Sequence, residues 1–100
     1  MNFFGFSGNA DMAKKIKDYK SRGALIIDVR TPMEYEEGHA PNSQLIPMHE
    51  VMETVEEVKA LNKPVILVCR SGSRAASVEA FYRRHGIDAI NAGPWQAVLE

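Results

Sequence analysis

Short apolar runs alternate along the chain with stretches in which apolar residues recur at helical spacing. Residues 24–29 (ALIIDV) and 64–69 (PVILVC) are almost continuously apolar, which is the pattern of strands covered on both faces. Two shorter runs, residues 43–47 and 87–91, are further candidate strands. Strands that alternate with helices predict an α/β fold in which a parallel sheet has helices on both faces.

The periodic stretches predict three amphipathic helices, over residues 10–23, 49–62 and 74–86. In the middle one, four apolar residues fall on one side: Val51, Val55, Val58 and Leu61. Four methionines at positions 12, 33, 48 and 52 are expected to fill gaps in the core.

A fourth, short helix is predicted directly after the first strand. Thr31 is the expected N-cap, Pro32 occupies the first helical position, Glu34 completes a capping box, and Gly38 ends the helix. This is an unusually complete local signal for a helix start.

The composition is that of one globular domain, and we expect residues 1–100 to form a single domain. A net charge of -1 gives no electrostatic reason to bind nucleic acid or an acidic membrane. The longest apolar run, Val65 to Cys69, is too short to span a bilayer, and the N-terminus lacks the features of a secretory signal. A cytoplasmic location follows as an expectation.

The only cysteine of the chain, Cys69, lies where the apolar run VILVC meets the polar and basic stretch RSGSRAAS. One cysteine forms no internal disulfide, and no Cys/His grouping has the spacing of zinc ligands, so the thiol is either buried core or a reactive group. For the reactive case we expect a protein that works without metal or organic cofactor. In a parallel sheet, ligands bind beyond the carboxyl ends of the strands, where Cys69 is predicted to lie. Loop amides and the start of the next helix would hold an anion there and favour the reactive thiolate.

Free cysteines are most often buried small hydrophobic residues, and this is the alternative interpretation of Cys69. Against it, Cys69 is followed by Arg70, Ser71, Gly72, Ser73 and Arg74 rather than by more core residues. An arginine beside an inert buried thiol would need a partner that is not evident nearby. We therefore favour a reactive cysteine.

Three stretches in the same order and spacing resemble the rhodanese family in its single-domain form. They are residues 25–47 (LIIDVRTPMEYEEGHAPNSQLIP), 63–77 (KPVILVCRSGSRAAS) and 86–93 (GIDAINAG). The resemblance implies a rhodanese-like sheet of about five parallel strands with helices on both faces. It also implies a transferase, a sulfurtransferase in which the catalytic cysteine Cys69 takes sulfur from a small anionic donor such as thiosulfate. The resulting persulfide then passes its sulfur to cyanide or a thiol, which a partner protein can supply.

The resemblance implies roles for further residues as well. The loop formed by Arg70, Ser71, Gly72, Ser73 and Arg74 would bind the donor and the persulfide, and its two arginines would favour a doubly charged donor. Asp28, Arg30 and His39 match family positions and are expected to support the site, with structural roles as the stronger interpretation. Among these, a local ion pair between Arg30 and Glu34 is expected. Near the C-terminus, Pro94 replaces a glycine and Trp95 comes early, so Trp95 is a candidate lid or ordinary packing.

Two other functions stay open from the sequence. Related phosphatases have five residues between the cysteine and the arginine, whereas this chain has four, which favours sulfur over phosphate. An arsenate reductase on this scaffold would need a second cysteine, which the chain lacks. A non-catalytic module that carries persulfide or docks on a partner is the third possibility.

Overall fold

The computed structural model describes residues 4–99, with side chains from residue 10 onward. Met1–Phe3 and Glu100 of the predicted domain lie outside the described residues. The elements in chain order are α1 (Phe4–Ser21), β1 (Leu25–Asp28), α2 (Pro32–Glu37), β2 (Ser43–Leu45), α3 (Val51–Ala60), β3 (Val65–Cys69), α4 (Ser73–Arg84) and β4 (Ala89–Pro94). Two 3₁₀ turns, Met48–Glu50 and Trp95–Val98, precede α3 and follow β4.

The four strands form one parallel sheet in the order β2-β1-β3-β4. This confirms the predicted α/β class. The four strands correspond to the four apolar runs of the sequence, and they are the whole sheet within residues 4–99, where the family resemblance implies about five. The central strand β3 is buried along its full length, because it has a strand on either side and helices above and below.

Alternate residues of β3 face two separate cores. Val65, Leu67 and Cys69 pack with buried residues of α3 and α4, among them Val55 and Val78. On the other face, the core is formed by β3, β4, α1 and the final turn, through Ile66, Val68, Ile90, Ile16 and Val98. The sheet therefore has helices on both faces, and the Cys69 side chain points toward α3 and α4.

Element boundaries differ from the predicted ones at two places. The first helix begins at Phe4 rather than residue 10, an extension that the pattern does not predict because Gly5 and Gly8 are poor helix formers. No helix among residues 4–99, α1 included, is long and apolar enough to cross a membrane. The last strand runs over Ala89–Pro94 rather than 87–91, because a bulge opposite Leu67/Val68 lets pairing continue as far as Pro94.

Several residues predicted to be buried are exposed. Met33 and Met52 are 73% and 74% exposed, and Met48 and Leu61 are also largely exposed. The methionines lie in the first turns of their helices or in the turn before α3, outside the stripe that packs on the sheet. The prediction that they fill the core is wrong for these three, and the core face of α3 consists of its valines alone.

The predicted capping box of α2 is confirmed. The Glu34 amide donates to Thr31 Oγ1 at 3.2 Å, and the Thr31 amide donates to Glu34 Oε1 at 3.0 Å. Pro32 occupies the first turn, where its missing N–H costs nothing, and Gly38 ends the helix. These contacts fix the position of Glu34 at the carboxyl edge of the sheet.

Replacing Thr31 with alanine should lower the free energy of unfolding by about 1 kcal/mol, because the Glu34 amide loses its acceptor. Urea unfolding measures this loss as a lower midpoint, when the slope of the free energy of unfolding against urea concentration is the same for both proteins. Thr31→Ser keeps the hydroxyl and is the matched control. Identical midpoints for the alanine and serine variants would show that the cap does not stabilise the protein.

Candidate active site

Cys69 is the last residue of β3 and lies at the carboxyl edge of the sheet, between the ends of β1 and β4. Its side chain is buried. The backbone turns immediately after it, and the Gly72 amide donates a hydrogen bond to Cys69 Sγ at 3.0 Å. A sulfur atom that accepts from a backbone N–H is stabilised in its anionic form.

Gly72 makes this turn possible. Its φ of +104° is in a region that residues with side chains rarely adopt. A Cβ added at Gly72 would lie 3.2 Å from the Cα of Gly93, which is tighter than ordinary packing. The Gly72 carbonyl then accepts from the Ala76 amide at 2.9 Å, so α4 starts directly at the loop. The loop is thus held between strand β4 and the start of a helix.

Asn91, on β4, holds the loop in place through hydrogen bonds of its side chain. Its Nδ2 donates to the Gly72 carbonyl at 2.9 Å, and its Oδ1 accepts from the Gly93 amide at 2.9 Å. The Asn91 amide donates in turn to Glu79 Oε2 of α4 at 3.2 Å. Sequence reasoning did not single out Asn91, and the only signal was a polar residue within a predicted buried strand.

Asp28 and Arg30 form a buried ion pair at the end of β1, the neighbour of β3. Arg30 Nε and Nη2 donate to the Asp28 carboxylate over 2.8–3.1 Å, and Arg30 Nη2 also reaches the Gly38 carbonyl at 2.7 Å. The Arg30 guanidinium lies over the Trp95 ring, 5.3 Å from its centre. Both residues therefore hold the scaffold together beside the site.

The expected pair between Arg30 and Glu34 is wrong. Glu34 instead binds Arg74, forty positions away in sequence, through Nη1–Oε1 and Nη2–Oε2 hydrogen bonds of 2.8 and 3.0 Å. Hydrogen bonds from Arg74 and then from the Thr31 amide lower the pKa of Glu34 from 4.5 to about 2. The physical reason is competition: Asp28 is only two positions from Arg30 and satisfies its guanidinium in the interior, which leaves Glu34 to Arg74.

The other predicted site residues are exposed. Arg70, Ser71 and Ser73 line the outer side of the loop, and Arg70 forms no ion pair with residues 10–99. His39 is exposed and stacks on Tyr35, with its Nδ1 2.7 Å from the Tyr35 carbonyl. This position agrees with a packing role for His39.

A cavity of about 330 Å³ opens beside the loop, between α2 and the final turn. Its walls include the cations Arg30 and Arg70, the carboxylates Glu34 and Glu37, and the ring of Trp95. Trp95 also packs against the core below it and faces Gly38, so it forms a fixed wall of this cavity.

A larger cavity, about 570 Å³, lies at the opposite, amino end of the sheet, near Leu25 and Ile26. Lys20 and Lys63 are the charged residues of its lining, which includes no carboxylate and lies at the other end of β3 from Cys69. Among residues 10–99, no group of three or more His, Cys, Asp and Glu side chains is arranged to hold a metal ion. The chemistry that these residues support is therefore centred on Cys69.

The arrangement at Cys69 suits reactions that place negative charge on sulfur. The Gly72 N–H points at Sγ, the helix α4 begins within the same loop, and Arg74 brings positive charge near it. A nucleophile of this kind needs no separate general base once it is ionised.

Comparison with known proteins shows which family this chain is similar to. The family model described as "Rhodanese-like domain" matches residues 9–95, which run from within α1 to the start of the final turn. The chain is 30% identical over 71 residues to a thiosulfate sulfurtransferase, GlpE, of Pseudomonas syringae. That match covers 71% of this chain and 66% of the relative, so the chain spans about two thirds of the relative's length.

Solved structures show the same fold. A rhodanese-like domain protein from Staphylococcus aureus has a TM-score of 0.63 and 32% identity, over 77% of this chain and 74% of that one. A rhodanese-related protein from Thermoplasma volcanium has a TM-score of 0.72 and 25% identity, over 86% and 85% of the two chains.

Gly72→Ala should both destabilise the protein and slow alkylation of Cys69 by iodoacetamide. The strained φ and the contact with Gly93 cost about 1–3 kcal/mol in folding free energy and move the amide that faces Sγ. Gly23→Ala is the matched control, because Gly23 has a φ of +78° but open space around its Cβ position. Equal alkylation rates in the two variants would show that the Gly72 amide does not act on the sulfur.

Glu34→Gln should flatten the dependence of stability on pH in acid. The folded-state pKa of Glu34 is lowered from 4.5 to about 2, so its charge stabilises the fold above 4.5. That contribution is lost as the pH falls toward about 2. Urea unfolding across this window measures it, with Glu36→Gln as the control for removing an exposed carboxylate from the same helix. A Glu34→Gln protein that loses stability as steeply as wild type would contradict the lowered pKa.

Proposed function

The chain belongs to the rhodanese family, and we propose that it is a sulfurtransferase that carries sulfane sulfur as a persulfide on Cys69. The donor is a small anion of the thiosulfate type, and the acceptor is cyanide, a small thiol or a thiol of a partner protein. The observation that carries this proposal is the Gly72 N–H directed at Cys69 Sγ within a loop of four residues between Cys69 and Arg74.

The first half-reaction is an attack by the Cys69 thiolate on the outer sulfur of thiosulfate. The new Cys69 S–S bond forms as the S–S bond of the donor breaks, and sulfite leaves with the electron pair of that bond. Three negative charges enter and three leave, so no proton, oxidant or reductant is required. The persulfide that remains on Cys69 is an anion with its charge on the terminal sulfur.

The second half-reaction returns Cys69 to its starting state. Cyanide, or the thiolate of an acceptor, attacks the terminal sulfur of the persulfide, and the Cys69 thiolate departs. Thiocyanate or a new persulfide is the product. In both steps the negative charge of the enzyme lies on a sulfur atom of the thiolate or the persulfide. The Gly72 amide and the start of α4 stabilise it there.

The supporting residues act through the position of the loop. Asn91 donates to the Gly72 carbonyl and is itself oriented by the Gly93 amide, and the Asp28–Arg30 pair fixes the end of β1 beside β3. Arg70, which forms no ion pair with residues 10–99, is the cation that meets an incoming anion. His39 stays at the surface as a packing residue.

Phosphatase and arsenate reductase activities have weaker support. The loop is one residue shorter than in the phosphatases that resemble this family, and Cys69 is the only cysteine of the chain. We further propose that residues 1–100 act as one domain, without metal or organic cofactor, in the cytoplasm, where an unpaired thiol is kept reduced.

Incubation of the protein with thiosulfate should raise its intact mass by one sulfur atom, located on Cys69. Addition of cyanide should remove this sulfur and release thiocyanate in equal amount. Cys69→Ser is the control and should do neither. The proposal fails if wild type gains no sulfur, or if the serine variant gains as much; hydrolysis of a phosphoester that depends on Cys69 would support the phosphatase instead.

A further inference from the structure

We propose that Glu34 is a specificity-determining residue that weakens the binding of doubly charged sulfur donors by occupying Arg74. This inference rests on the proposed sulfurtransferase function. It concerns which anions the site accepts and goes beyond the identity of the nucleophile. The observation behind it is the two-point ion pair between α2 and the first turn of α4.

Arg74 is the second arginine of the loop and lies in the first turn of α4, next to the cysteine that receives the sulfur. Its two terminal nitrogens are both engaged by the Glu34 carboxylate, at 2.8 and 3.0 Å. The pair is only partly exposed, at 33% for Arg74 and 26% for Glu34. A guanidinium held in this two-point geometry is not available to form the same bonds with a substrate anion.

The cavity beside the loop has nearly balanced charge. Of its two arginines, Arg30 is neutralised by buried Asp28, and only Arg70 is without an ion pair among residues 10–99. Glu37 shares the wall with Glu34, so two carboxylates face the same space. A dianion that enters the cavity therefore meets one guanidinium, Arg70, and one carboxylate, Glu37, that form no ion pair with residues 10–99, while the charge of Arg74 is neutralised by Glu34.

This arrangement discriminates by charge because Coulomb energy is linear in the charge of the ligand. A singly charged donor loses half as much as a doubly charged one from the presence of the Glu34 carboxylate. The factor by which the Glu34 charge lowers kcat/KM for a dianion is therefore the square of the factor for a monoanion. Glu34 thus shifts preference toward donors that carry sulfane sulfur with one negative charge.

Glutamine at position 34 separates the charge of Glu34 from its structural role. A glutamine at the third helical position still completes a capping box, because its side-chain oxygen accepts from the Thr31 amide. Its amide nitrogen, however, replaces the oxygen that accepts from Arg74 Nη2. Glu34→Gln therefore removes the negative charge beside Arg74 and one of its two hydrogen bonds, while it keeps the start of α2.

The test compares two donors of the same chemistry and different charge, thiosulfate and methanethiosulfonate. With methanethiosulfonate, the Cys69 thiolate attacks the outer sulfur and methanesulfinate leaves, so the same persulfide forms. The rate of persulfide formation against donor concentration gives kcat/KM for each donor in wild type and in Glu34→Gln. Glu36→Gln is the control, since Glu36 is an exposed residue of the same helix that does not line the cavity.

We expect kcat/KM of Glu34→Gln to rise about twofold for methanethiosulfonate and about fourfold for thiosulfate, mainly through a lower KM. The Glu36→Gln variant should differ little from wild type, and added salt should shrink the gain. Far-ultraviolet circular dichroism and the melting temperature check that the glutamine variant is folded. If that variant does not fold, Arg74→Gln gives the converse test: the uncompensated Glu34 carboxylate should raise the KM for thiosulfate more than for methanethiosulfonate.

Two results separate this inference from the function on which it rests. If wild type forms persulfide but Glu34→Gln leaves kcat/KM unchanged for both donors, or changes it by the same factor for both, the inference is overturned and the sulfurtransferase function stands. If wild type reacts with neither donor, both are overturned.

Discussion

Most of the structure around the site depends on one hydrogen bond, from the Gly72 amide to Cys69 Sγ. For that N–H to face the sulfur three residues back, the chain must reverse direction within the loop, and it does so through a positive φ at Gly72. The reversal brings Gly72 against Gly93, so that a side chain at Gly72 would crowd the backbone of β4. The bulge in β4 and the bridging side chain of Asn91 then hold the two backbones at this close approach.

Two ion pairs connect the elements around this loop and differ in their consequences. Asp28–Arg30 is buried, and removing either partner would leave a charge in the interior, at a cost of about 3–5 kcal/mol. Glu34–Arg74 is partly exposed and links α2 to α4. Its position beside the cysteine gives it an electrostatic role, because the arginine that a family resemblance would assign to the substrate is shared with a carboxylate of the protein itself.

The parts of the structure that depend on local sequence could be predicted from it. The four strands, the Thr31–Glu34 capping box and the position of Cys69 at a strand end follow from apolar runs and from residues within a few positions of one another. The parts that could not be predicted depend on contacts between distant residues. Glu34 and Arg74 are forty positions apart, and Asn91 and Gly72 are nineteen apart, so no spacing rule relates them. The expected Arg30–Glu34 pair was wrong for the same reason, since a local pattern does not show which carboxylate is buried with a guanidinium.

The central claim is that the loop after β3 holds a negatively charged sulfur on Cys69 with its backbone amides. Nuclear magnetic resonance of ¹⁵N-labelled protein, recorded before and after addition of stoichiometric thiosulfate, tests it most directly. The account predicts that the largest amide shifts fall within residues 70–74, Gly72 included, because the negative charge moves from Sγ to the terminal sulfur of the persulfide, and that cyanide restores the original spectrum. Unchanged amides in this loop, or changes confined to the cavity at the other end of the sheet, would contradict the account.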